Sequence, residues 1–263
     1  MAITTYDGFI ASAKQYVSHD KTASRTSVAT AWFSVFDLAG NPGAGVLAGT
    51  STTTGVVPTD ATAGCPAINA FGGGAVGTLA QIDFGSSVAC RIKLFDLLWK
   101  GGAYAFNANT SGQTPTSFSS RVPGGTDFTD TQIWLEQVTA GTGSQSVAVT
   151  YNDQGGASST TGTVVTATNI VGRCHQLPLA AGDTGVQGVT GVVGSVATAG
   201  TFNILVMRPI WAGRVKIAND GDVHDLSKTG MPIIYADSAL VMLVAADSTA
   251  TGITGLEYVI ANG

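Results

Sequence analysis

Apolar and polar residues alternate with a period of two through much of this chain. Val88, Cys90, Ile92 and Leu94 interleave with Ala89, Arg91, Lys93 and Phe95, while Val147, Val149 and Tyr151 interleave with Ala148 and Thr150. Successive strand side chains point to opposite faces, so both patterns predict strands with one buried face. In "TFNILVMRPI", Phe202, Ile204 and Val206 fall on one face and Leu205 and Met207 on the other. That arrangement predicts a strand covered on both sides. Further strands are predicted over 29–36, 78–84, 131–138, 160–168, 213–217, 239–244 and 256–260. The turn-forming clusters "AGNPGAG", "NDQGG", "LAAGDTG" and "ANDGD" separate them.

The N-terminus departs from this pattern. Thr4 and Asp7 have capping-box spacing, and Tyr6, Ile10, Ala13 and Val17 recur at helical spacing, which predicts an amphipathic helix over about residues 5–17. The polar segment "SHDKTASRTS" (18–27) then reads as a linker. The predicted organisation is a helical arm and linker over 1–25 and a β body over 26–263. Two long irregular stretches, 39–74 and 101–126, interrupt the body. Loops of that length are functional or partner-ordered, or they are the long crossovers of a Greek key. Many short strands without helices long enough for crossovers imply antiparallel pairing. The fold class expected is an all-β, jelly-roll-like sandwich.

Composition changes what such a body presents to its surroundings. Only 11% of residues are charged, against roughly 25% in ordinary soluble domains, and 35 glycines with abundant Ser and Thr fill their place. The surface is therefore expected to be neutral and hydroxylated. A net charge of −5 offers no basic footprint for nucleic acid. The N-terminus lacks a basic segment followed by an apolar run, and the longest apolar run is 239–246, so neither a signal peptide nor a membrane span is expected. Cys65, Cys90 and Cys174 lie far apart and suit buried thiols better than a zinc site, with a bridge between two of them left open.

Candidate chemistry is sparse. "AFGGGAVG" (70–77) spaces Gly72, Gly74 and Gly77 as a dinucleotide fingerprint requires. Pro66 and Gly64 spoil the strand needed before it, and 78–84 alternates as a strand where a helix is needed. The stretch reads instead as the flexible end of a long connection, ordered by a neighbouring subunit. "DFG" (83–85) lacks the strand lysine and catalytic loop of a kinase, so Asp83 reads as a polar strand end. His19, His175 and His224 have no catalytic context, and Cys174 beside His175 on a strand points the opposite way. Asp220, Asp222 and Asp225 offer hard oxygen ligands suited to a structural calcium ion, but Asn219-Asp220-Gly221 is equally ordinary turn chemistry. No organic cofactor and no catalytic residue is expected. Trp32, Trp99, Trp134 and Trp211 lie in or beside predicted strands and suit core packing better than a sugar groove.

The segments "TSVATAWFSVFDLAGNPGAG", "RIKLFDLLWKGGAY", "TQIWLEQVTA" and "LPLAAGDTGVQGVTGVV" together resemble head-associated structural proteins of tailed bacteriophages. The resemblance covers most of the chain after the N-terminal arm. It implies a capsid decoration, or cement, protein on the outer surface of the virion, made in the host cytoplasm, with no enzymatic activity. Its implied partners are the major capsid protein and further copies of itself in a homo-oligomer. On that reading the helix bearing Tyr6, Phe9, Ile10 and Tyr16 docks on a neighbouring subunit. The alternative is a tail- or fibre-associated receptor-binding module, with Tyr104, Phe106 and Phe118 exposed in a glycan groove. A secreted carbohydrate-active β protein is disfavoured by the missing signal segment.

Overall fold

The computed structural model describes residues 3, 5–72, 76–111, 113, 116–166, 170–195 and 199–262. After helix α1 (Tyr6–Ala11) come strands β1 (Lys14–Lys21), β2 (Trp32–Ser34), β3 (Gly40–Asn41), β4 (Ser51–Val56), β5 (Gly77–Ser86), β6 (Cys90–Ala105) and β7 (Asn109–Ser111). The middle of the chain supplies β8 (Gln132–Thr139), β9 (Gln145–Asp153), β10 (Ser158–Thr160), β11 (Val164–Thr166), β12 (Arg173–Leu177) and β13 (Val186–Gly194). Strands β14 (Thr201–Val215) and β15 (Asp220–His224) precede the one-turn helix α2 (Leu226–Thr229). Strands β16 (Ile233–Ile234), β17 (Leu240–Ala246) and β18 (Thr254–Asn262) complete the fold.

All strand pairs among the described residues are antiparallel, as the short strands and tight turns imply. They form three layers. In the central layer β14, β8, β12, β2, β17 and β6 are bonded in that order, and β14 also pairs with β6 along almost its full length, which closes a six-stranded barrel. Closure removes the free edges that such long strands otherwise expose. Strand β4 adds to β6 beyond the point where β17 leaves it. One flanking sheet runs β15-β5-β18-β1-β3, with β16 also on β5. The other runs β10-β9-β13-β7, with β11 also on β9.

Each interface between layers has its own core. Inside the barrel lie Phe95, Leu97, Trp134, Cys174, Leu205, Met207, Val241 and Leu243. The opposite faces of the same strands turn outward, so Ile92, Leu94, Trp211, Met242 and Val244 meet Leu79, Ile82, Phe84, Leu256 and Tyr258 of the first flanking sheet. Ile133, Leu135, Phe202, Ile204 and Val206 meet Val147, Val149, Tyr151, Val189 and Val192 of the second. This explains why "TFNILVMRPI" is apolar on both faces: β14 is a barrel stave with a core on each side. All three cysteines are buried and free, and Trp99, Trp134 and Trp211 are core residues with Trp32 packed at the margin. No described helix is long and apolar enough to cross a membrane.

The N-terminal expectation needs correction. Thr4 lies outside the described residues, and it is the Thr5 side chain that accepts from Gly8 N at 3.0 Å to cap α1. The helix ends at Ala11, and Ser12 is already extended. From Lys14 the chain is a strand held between β18 and β3, so the linker expected over 18–27 begins inside a sheet. The helical position of Val17 was coincidental: Val17, His19 and Lys21 form the buried side of β1, and two polar residues on that side hide the strand period. The irregular stretch 101–126 likewise begins within β6, and the strand expected over 213–217 is the end of β14.

The other irregular stretch, 39–74, contains the two-residue β3 and then β4, which folds over β6. Gly55 lies there with φ +62, and a Cβ at that position would overlap the indole of Trp99. Trp99 Nε1 also donates to Thr54 O at 3.0 Å. Gly55→Ala is expected to cost about 2–3 kcal/mol, from backbone strain plus overpacking. Urea titration checks this, and a loss within 0.5 kcal/mol, the ordinary range of surface changes, would show that the loop yields freely.

Candidate functional site

Exposed apolar side chains are spread over the molecule, and the N-terminal segment carries three of the large ones, Tyr6, Ile10 and Tyr16. None of the side chains of α1 is buried. Its first turn is closed by Thr5. Its last carbonyls are closed by Lys14, whose Nζ donates to Phe9 O at 2.9 Å, Ser12 O at 3.0 Å and Ile10 O at 3.3 Å while standing 4.7 Å over the Phe9 ring. Phe9 is thus half-buried beneath Lys14, whereas Tyr6 is 69% and Ile10 59% exposed. Tyr6 and Ile10 are four residues apart and share one helix face. Tyr16 is 80% exposed on the outer side of β1, directly across from Val259 of β18.

That outer sheet face continues as a polar strip. Ser18 is opposite Glu257, and Glu257 is opposite Asp83 of β5; in the next row Asp20 is opposite Gly255, and Gly255 opposite Gly85. Two carboxylates directly across from each other oppose pairing. The face therefore carries concentrated negative charge beside the exposed Tyr16. Asp83 belongs to this strip, within β5. The exposed alternate positions of β1, β5 and β18 were the sequence signal for it, obscured in β1 by its helical reading.

The aromatic residues expected to line a glycan groove are elsewhere. Tyr104, Phe106 and Phe118 are each at most 1% exposed and belong to the core beneath the second flanking sheet. Phe106 and Tyr104 pack on Phe202 at 4.8 and 5.6 Å, and Phe118 packs on Phe128 at 5.9 Å. The Tyr104 hydroxyl accepts from Gln113 Nε2 at 2.9 Å. They are buried because β6 carries the chain along the barrel wall as far as Ala105, and the segment after it folds back as cover.

The acidic cluster does not converge on an ion. Asp220 accepts from its neighbour Gly221 N and Asp222 from Val223 N, both on edge strand β15. Asp225 instead caps α2, accepting from the backbone N of Ser227 and Lys228, and the Ser227 hydroxyl at 2.7 Å, followed by the Lys228 N–H, holds its carboxyl below the usual range. Among the described residues no group of three or more His, Cys, Asp or Glu side chains is arranged to hold a metal. A turn, a strand edge and a helix cap use these carboxylates separately.

The remaining candidates are structural. Cys174 faces the barrel core, and its burial pushes the thiol pKa well up. His175, on the other face, is held near pKa 4 by burial and then by Arg173. His224 Nδ1 accepts from Trp211 Nε1 at 3.0 Å, and His19 is buried under β1. Phe84 and Gly85 of "DFG" lie within β5. In "AFGGGAVG", Gly72 has φ +91, Gly77 begins β5 against Phe71, and residues 73–75 lie outside the described residues.

No protein-family profile and no curated protein matches this chain. Among solved structures it aligns with the D431N mutant VP2 protein of infectious bursal disease virus in derived T=1 particles, at 10% identity and a TM-score of 0.19, over 99% of this chain and 79% of that one. The VP2 subviral particle of the same virus aligns at 11% identity and 0.18, over 99% of this chain and 82% of the other. The Gx strain aligns at 9% and 0.17, over 95% and 80%. These scores are far below those of chains that share a fold. The family of this protein therefore does not follow from its likeness to any of these chains.

Proposed function

We propose that the protein is a structural component of a virus particle, a decoration protein of the tailed-bacteriophage type that binds the outside of the capsid lattice. The observation that carries this reading is the unpartnered apolar surface of α1 and β1. A six-residue helix is too short to be stable in isolation, and α1 buries none of its side chains against the body. Its Tyr6 and Ile10, and Tyr16 on the strand that follows, are exposed to a neighbouring molecule, and tyrosine is among the residue types that concentrate binding energy at interfaces. A weakly charged all-β body with broad sheet faces suits a lattice component, and the resemblance in sequence supports the same role. The receptor-binding alternative loses its residues, because Tyr104, Phe106 and Phe118 are in a core.

Truncating residues 1–22 is a poor test, because it removes β1 from the sheet. The triple substitution Tyr6→Ser, Ile10→Ser, Tyr16→Ser leaves the fold intact, since exposed positions change stability by only about 0.5 kcal/mol each. Occupancy on capsid particles, measured by gel densitometry against the major capsid protein, is expected to be on the order of hundreds of copies for the wild type and at least tenfold lower for the variant. Equal occupancy would remove α1 and Tyr16 from the interface. A wild-type count of a few dozen or fewer would overturn the lattice role itself.

A further inference from the structure

We propose that the mouth of the central barrel is a binding pocket for a neutral phenol-like group, an aromatic ring carrying one oxygen. The pocket holds about 220 Å³, larger than the engineered cavity of roughly 150 Å³ that admits benzene. Its floor is Phe36, Leu97 and Pro58, its rim includes the exposed Val46 and Val56, and Lys100 lines its inner end, where it meets the barrel interior. Barrel mouths are recurrent ligand sites, and preformed apolar walls with few polar groups are their usual make-up.

The walls are preformed because sheet residues hold the covering loop by its backbone. Asn203 Oδ1 accepts from Gly49 N at 2.9 Å, and its Nδ2 donates to Leu47 O at 2.6 Å. Trp99 holds Thr54 O, and Lys100 Nζ donates to Val46 O at 3.0 Å. That one bond leaves two N–H groups of the lysine without a protein acceptor at hydrogen-bond distance among the described residues, for an ammonium has three donors. The pocket therefore combines an apolar volume with donor capacity at its inner end.

Glu136 decides the charge of the occupant. Its carboxylate is 4.0 Å from Lys100 Nζ, with both side chains at least nine-tenths buried, and it accepts from Asn203 Nδ2 at 2.7 Å. The pair is balanced. A carboxylate in the pocket would leave buried negative charge in excess, and an amine would meet Lys100 as a like charge. A neutral ring with an acceptor oxygen satisfies the free donors without either cost. This inference is independent of any lattice-binding role.

The test uses the intact chain and three para-substituted toluenes that differ in the charge of the head group: p-cresol, p-toluate and p-methylbenzylamine. With p-cresol, saturable amide shifts are expected at Gly49, Thr50 and Ala63, and the two ionic probes are expected to bind at least tenfold more weakly. Ala63 is exposed at the pocket edge, so Ala63→Phe closes the mouth without loading the core and is expected to weaken p-cresol at least tenfold with an unchanged melting temperature. Absence of saturable shifts, equal binding of the three probes, or full binding by Ala63→Phe would each overturn the proposal. The exposed Tyr6 or Tyr16 of another copy carries the same chemistry as a free phenol. Sedimentation separates the sources: p-cresol dissociates oligomers held by an inserted tyrosine, whereas a monomer throughout assigns the pocket to a free small molecule.

Discussion

Asp96→Ala is expected to lower the unfolding free energy by about 3–5 kcal/mol, the usual cost of leaving a buried charge uncompensated. Asp96 is fully buried at the wall of the barrel. One oxygen accepts from Arg121 Nη1 at 3.1 Å and from Ala239 N at 3.0 Å, and the other from Arg208 Nη2 at 3.3 Å and Ser238 Oγ at 2.8 Å. Arg121 has no exposed surface. Its other bonds go to the carbonyls of Leu97, Leu98 and Asp237, at 2.9, 3.1 and 3.0 Å.

One carboxylate thus joins the 3₁₀ turn at Ser119–Arg121, strand β14 and the turn before β17. Its removal leaves two guanidinium groups in the interior, and one of them has no route to water. Guanidinium chloride titration should show a lower midpoint with an unchanged slope. A loss below about 1 kcal/mol would mean that the cluster relaxes into solvent and does not hold these segments.

Stability is also expected to fall steeply with acid, and His19 is the cause. Burial, reinforced by the charge of Lys21, lowers its pKa from 6.5 to about 3. Between those values the unfolded chain binds a proton that the native chain does not. The contribution of His19 is therefore complete above pH 6.5 and is lost as the pH falls through that interval, at about 1.4 kcal/mol per pH unit. The loss reaches about 2 kcal/mol at pH 5 and on the order of 4–5 kcal/mol at pH 3. His175, less buried and held near pKa 4, acts with the same sign.

The shift has a visible origin. His19 is on the buried side of β1 between Val17 and Lys21, and among the described residues its Nδ1 has no hydrogen-bond partner. The Lys21 ammonium on the same side is directed to Leu38 O and Pro42 O, at 3.2 and 3.3 Å, and its charge opposes an imidazolium at His19. His19→Leu should flatten the stability profile between pH 7 and 5 relative to wild type. Identical slopes in the two proteins would place the proton uptake elsewhere.

The strands legible in the sequence were those with apolar residues on the buried side. β5, β8, β9, β17 and β18 match expected segments closely, β6 and β14 run well beyond theirs, and the two-faced pattern of β14 correctly announced cover on both sides. β1 was missed because His19 and Lys21 occupy its inner side, leaving a helical spacing as the more visible signal. Tyr104, Phe106 and Phe118 look exposed in the sequence because they fall in the irregular stretch 101–126, rich in Gly, Ser and Thr. In this chain those residues also line buried strands, so local polarity does not report exposure.

Residue order alone determined the all-β class, the antiparallel pairing and the scarcity of surface charge, because a period of two and the chemistry of turns act over a few neighbouring residues. Closure of the barrel needs β14 to find β6 about a hundred positions away, and no local pattern encodes that partner. The same long-range pairing set Lys100 beside Glu136, brought Asp96, Arg121 and Arg208 together, and turned three scattered aromatics inward. Those placements belong to the tertiary structure, because burial and charge balance depend on which distant segments meet.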